Sequence, residues 1–121
     1  MMTTGGITNP ASLASSGVRC LPVPVHEGVL DLPALMAELA KMEINELQVE
    51  AGARLCGALL DARLVDEVLV YQAPVLLGDG GAGPFAFGPL ESMANRTHLK
   101  MLETSRIGDD LRMRLQPKFR L

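Results

Sequence analysis

Apolar positions along this chain recur with two different periods, and the change of period separates expected helices from expected strands. Leu35, Met36 and Leu39 are spaced three or four residues apart, which makes one apolar stripe of a helix over residues 32–42. Asp31 stands at its N-cap and Asn45 breaks it. The spacing returns over residues 54–62, with Leu55, Leu59 and Ala62 on one side. Between these helices, Ile44, Leu47 and Val49 read as a short buried strand that delivers Glu50 to its C-terminal end.

Further along, residues 67–71 read as a second strand and residues 73–77 as its extended continuation. The glycine-rich stretch 78–84 is a mobile loop by composition, and residues 90–94 suit a helical turn. The C-terminal part alternates with period two. Leu99 and Met101 flank Lys100, while Leu111, Met113 and Leu115 alternate with Arg112, Arg114 and Gln116. With Gly108-Asp109 between the runs, this is an antiparallel pair with one wet face.

The first thirty residues are less regular. Residues 1–4 resemble a strand end, and Asn9 with Pro10 reads as the cap and first turn of a short helix that Gly17 closes. Residues 18–25 are rich in β-formers, but Pro22 and Pro24 put the far end outside a central ladder, and residues 26–28 form a turn. Strands alternating with helices and closed by a hairpin predict an α/β fold: a mostly parallel sheet flanked by helices, with an antiparallel edge.

Length and charge narrow the function classes. A chain of 121 residues is expected to form a single domain spanning 1–121. Net charge is −3 without a basic block, and only Tyr71, Phe85, Phe87 and Phe119 are aromatic. Nucleic-acid binding is therefore not expected. No apolar run reaches the roughly 18 residues of a membrane helix, and residues 1–6 lack the form of a signal peptide. Cys20 and Cys56 form neither a disulfide framework nor a metal set, which suits a cytoplasmic protein with reduced thiols.

One stretch carries chemistry. Residues 49–60 place small residues between an expected strand and an expected helix N-terminus. Backbone N–H groups converge at such a corner and the helix dipole favours an anion. Each residue there also has an ordinary reading. Glu50 suits a solvated strand end, Gly52 a helix-entry turn, Arg54 an exposed position and Cys56 a small core side chain.

The ordered series Asp31-Leu32-Pro33-Ala34-Leu35, Ile44-Asn45-Glu46, Val49-Glu50-Ala51-Gly52, Gly57-Ala58-Leu59-Leu60, Leu64-Val65-Asp66-Glu67, Ala73-Pro74-Val75-Leu76-Leu77-Gly78 and Gly108-Asp109-Asp110-Leu111 resembles the reductase domain of the bifunctional riboflavin-biosynthesis deaminase–reductase family. The resemblance runs from about residue 30 to 117, and more loosely over residues 1–25. It implies a dihydrofolate-reductase-like fold and NADPH-dependent reduction of 5-amino-6-(5-phosphoribosylamino)uracil, ribosyl to ribityl. It further implies that Glu50 contacts substrate and that Gly52, Ala53, Arg54, Leu55, Cys56, Gly57 and Ala58 line the NADPH phosphates. No catalytic residue is assigned. The zinc signature of the deaminase half is absent, so deamination is not expected of this chain. The family's lysine- and aspartate-containing substrate strand and second cofactor loop have no counterpart in residues 1–29. The chain thus resembles the C-terminal part of a reductase domain, expected to pair as a homodimer through its terminal hairpin. The rival reading is a non-catalytic nucleotide-binding or dimerisation module built on that fold.

Overall fold

A computed structural model describes residues 20–119. The expected strand end at residues 1–4 and the short helix after Asn9 lie outside them. The chain divides into two units, Met1–Gln48 and Val49–Leu121.

In the first unit, β1 (Val25–His26) and β2 (Val29–Leu30) form a two-residue hairpin, with His26 opposite Val29. Its turn residues Glu27 and Gly28 both have positive φ, 51° and 79°. That is the requirement of a type I′ turn, whose twist matches the strands it joins. Helix α1 (Leu32–Lys41) follows. The Asp31 carboxylate accepts from the Ala34 N–H at 2.9 Å, the cap its sequence position predicts. Leu32 is the buried residue of this helix.

The helix stops earlier than Asn45. Glu43 takes φ +61°, its N–H bonds to the Ala40 carbonyl, and the Ile44 N–H bonds to the Leu39 carbonyl. This is a Schellman closure, with a glutamate where glycine is usual. Beyond it the expected buried strand is not found. Ile44, Leu47 and Val49 lie 38–47% exposed and belong to no ladder among the described residues. A short apolar run becomes a strand only when a neighbour takes its backbone hydrogen bonds.

The second unit opens with α2 (Ala53–Asp61), capped by Gly52 and ended by a second Schellman closure. Here Arg63 has φ +58°, with Arg63 N–H to the Leu60 carbonyl and Leu64 N–H to the Leu59 carbonyl. The helix buries Gly57, Leu59 and Leu60, while Leu55 remains 41% exposed. The buried side is thus rotated from the expected Leu55–Leu59–Ala62 stripe toward Gly57 and Leu60.

Three strands complete this unit: β3 (Val68–Gln72), β4 (His98–Ile107) and β5 (Asp110–Lys118), in the order β3-β5-β4. The terminal hairpin is as expected, turning at Gly108-Asp109 with Gly108 at φ +61°. The expected mostly parallel pairing does not occur among the described residues, where every ladder is antiparallel. A parallel pair needs a second strand reached by a crossover, and residues 44–49 supply no paired strand. Residues 73–77 leave the ladder exposed, and a single 3₁₀ turn (Met93–Asn95) falls close to the expected helical turn.

One face of the sheet carries Val68, Val70, Met113, Leu115 and Pro117, with Val68 and Pro117 buried. The other carries charges. Arg114 grips Glu67 through two hydrogen bonds of 2.8 and 2.9 Å and reaches Glu103 at 3.0 Å. Arg112 holds the second oxygen of Glu103 at 3.1 Å. Hydrogen bonds from Arg114 hold both Glu67 and Glu103 below the usual carboxylate range, and the two carboxylates raise Arg114 in turn. Between Met101 and Glu103 the register shifts by one residue, a β-bulge at Leu102.

Candidate functional site

The corner before α2 is built almost entirely from backbone. Gly52 is extended, at φ −71° and ψ 166°, and no side chain caps the helix. The first intrahelical bond runs from the Cys56 N–H to the Gly52 carbonyl at 3.2 Å. By helix geometry, the N–H groups of Ala53, Arg54 and Leu55 precede any intrahelical acceptor. The first turn carries no acidic residue, and Arg54 is exposed beside it. The helix start therefore combines donors that have no intrahelical acceptor, the positive dipole end and a cation.

Space at the corner agrees with this. A Cβ built on Gly52 would meet nothing within 4 Å, so an approaching group can reach the backbone directly. The geometry fits a phosphate group. Glu50 is exposed at the entry to this turn, two residues ahead of the cap.

The remaining residues of the expected cofactor stretch are half-buried or buried. Cys56 is half-buried, and its thiol donates to the Ala51 carbonyl at 3.3 Å. Ala58 is half-buried. Gly57 is buried under the backbone of residue 86. Ala86 donates its N–H to the Ala53 carbonyl at 2.9 Å, and a Cβ on Gly57 would lie 2.2 Å from the Ala86 oxygen. Glycine at 57 is therefore the contact that lets this loop segment lie on the helix. The structure brings Gly52, Ala53, Arg54 and Leu55 together at the first turn of α2 and packs Gly57 against the backbone of residue 86.

Sequence reasoning missed the segment that covers Gly57. Phe85 and Phe87 flank Ala86, and their rings stack at 5.9 Å with 26° between planes. Two aromatics at i and i+2 after a glycine-rich loop were the available signal. Among the described residues no group of three or more side chains could hold a metal ion, and no helix is long and apolar enough to cross a membrane.

Comparison with known proteins places this geometry in context. The family model described as the RibD C-terminal domain matches residues 7–113. The riboflavin biosynthesis protein RibD of Escherichia coli (strain K12) is 46% identical over 98 residues, which cover 81% of this chain and 27% of that protein. A Buchnera aphidicola protein named 5-amino-6-(5-phosphoribosylamino)uracil reductase is 32% identical over 93 residues, covering 77% of this chain and 45% of that one. Among solved structures, Acinetobacter baumannii RibD (form 2) superposes with a TM-score of 0.78 at 34% identity, over 89% of this chain and 29% of that one. The chain spans about a quarter of the length of the RibD proteins it matches. Its fold is the one these structures share, with the helices and antiparallel strands described above.

Proposed function

The chain belongs to the RibD C-terminal domain family, and from that premise we propose that it serves the NADPH-dependent reduction of 5-amino-6-(5-phosphoribosylamino)uracil, converting the ribosyl to the ribityl group. The observation that carries the reading is the open Gly52 corner, in a chain whose Buchnera relative is named as that reductase. Bound NADPH would supply the hydride. The chain's own part is to bind and orient.

In this reading the N–H groups of Ala53, Arg54 and Leu55 hold a cofactor phosphate, with the Arg54 guanidinium adding charge. Gly52 keeps the approach clear, and Glu50 accepts from substrate hydroxyl or amine groups. Cys56 and Gly57 support the same site from behind, fixing the helix start by their contacts with Ala51 and residue 86, and Ala58 continues the helix behind them. The family match runs across both units, which supports reading the chain as part of one reductase domain. A homodimer belongs to the same proposal, because β4 is an edge strand with Leu99, Met101, Leu102 and Ile107 exposed. So does a cytoplasmic location, where the NADPH pool is available.

Calorimetric titration of the 121-residue chain with NADPH tests the reading. Binding is expected, and Gly52→Val, whose added carbons enter the open approach, is expected to abolish it. Absence of binding at millimolar NADPH would defeat the claim that this corner works within the chain. Unchanged affinity in Gly52→Val would place the cofactor elsewhere.

A further inference from the structure

At the other end of α2 lies a feature that the Gly52 corner does not use. A depression of about 200 Å³ is lined by Arg63, Arg96, Lys118 and Phe119, together with Asp61 from the last turn of the helix. A nine-residue helix is about 13 Å long, so this depression and the Gly52 corner are separate places.

Three cations against one carboxylate leave an excess of two positive charges here, in a chain whose net charge is −3. Among the described residues none of the three cations forms an ion pair. Positive groups are expected near a helix C-terminus, where they can cap carbonyls. That role is already filled. The carbonyls of Ala58, Leu59 and Leu60 accept backbone N–H groups of Ala62, Leu64 and Arg63. The Arg63 guanidinium turns instead over the Phe119 ring, 5.9 Å from its centroid. Like charges in excess of their counter-charge repel, and an anion between them removes that cost. The volume is below that of a drug-sized pocket, so it suits a head group rather than a whole dinucleotide.

We propose that this depression is a second anion site, which binds the phosphate group of a small aromatic phosphomonoester. Lys118 and Arg96 hold the phosphate, and Phe119 with Arg63 forms the platform for the attached ring. A phosphomonoester carries close to two negative charges at neutral pH, which matches the excess. The inference does not depend on the proposed reductase activity.

Phenyl phosphate and inorganic phosphate are the probes, titrated into the full chain at constant ionic strength while backbone amide NMR signals are followed. Saturable shifts are expected at Arg63, Thr97, Lys118 and Phe119, with phenyl phosphate binding the tighter of the two. Lys118→Gln and Arg96→Gln should each raise its dissociation constant at least five-fold. Phe119→Leu should weaken phenyl phosphate while leaving inorganic phosphate unchanged. Arg54→Gln, which alters the Gly52 corner, should leave these shifts in place. The proposal is overturned if the shifts are confined to residues 53–55, if sodium chloride produces the same shifts, or if both glutamine variants keep the parental affinity.

Discussion

Gly57→Ala is the sharpest test of how the loop around residue 86 is held. The added Cβ would lie 2.2 Å from the Ala86 oxygen, 2.9 Å from its carbonyl carbon and 3.1 Å from its nitrogen. All three are backbone atoms, so no side chain can swing aside to make room. The segment is also tied to the helix by the Ala86 N–H to Ala53 carbonyl bond. In a free helix, alanine in place of glycine would gain about 0.5–1 kcal/mol. Forcing the extra carbon into a packed contact costs about 1–3 kcal/mol. Displacing Ala86 forfeits a hydrogen bond worth roughly 0.5–1.5 kcal/mol. The expected outcome is a net loss of about 1–3 kcal/mol, which at this size lowers Tm by about 4 °C for each kcal/mol. Urea unfolding followed by circular dichroism measures it, with Gly52→Ala as the control. There the added Cβ meets nothing within 4 Å, and the change should stay below about 1 kcal/mol. A Gly57→Ala variant as stable as its parent would refute the close approach of residue 86.

Two further outcomes follow from the local geometry. Arg114 holds the carboxyl groups of Glu67 and Glu103 below their ordinary value of 4.5. Stability from these pairs is therefore fully present above that value and lost as pH falls through the lowered folded-state values. Thermal unfolding between pH 7 and pH 3 should show this acid loss in the parent and a shallower one in Arg114→Met; parallel curves would contradict the assignment. Glu43→Gly should stabilise the chain by about 1 kcal/mol, because φ +61° at the helix C-terminus is strained for any residue with a Cβ. Urea unfolding checks the sign.

The elements legible in the sequence were those with local causes. Asp31 needed only the Ala34 N–H three residues away to fix the start of α1. The Gly108-Asp109 turn and the alternation around it gave the β4–β5 hairpin nearly residue for residue. The start of α2 was equally readable, because a helix start is written in the few residues around Gly52, whereas the strand expected before it was not found. What failed depended on distant partners. Residues 44–49 have strand-like composition, yet among the described residues they join no strand ladder. The buried side of α2 was misjudged because residue 86, far along the chain, decides that Gly57 faces inward. The convergence of Arg63, Arg96 and Lys118 was likewise invisible, since the three are scattered over 56 positions of sequence.

The bulge at Leu102 has a consequence for how the hairpin keeps count. Before it, even-numbered residues of β4 share the charged face: Lys100 stands opposite Gln116 and His98 opposite Lys118. After it, the odd ones do: Glu103 opposite Arg114 and Ser105 opposite Arg112. Leu102 thus acts as a phase slip in a two-beat pattern. Without the slip, a strict count from Met101 would seat Leu102 against Arg114 and turn Glu103 toward Met113, and the four-residue charge network could not close. The spare residue converts an error of parity into a local change of twist. This strand can therefore absorb a one-residue change of length at 102, where elsewhere it would turn the sheet inside out.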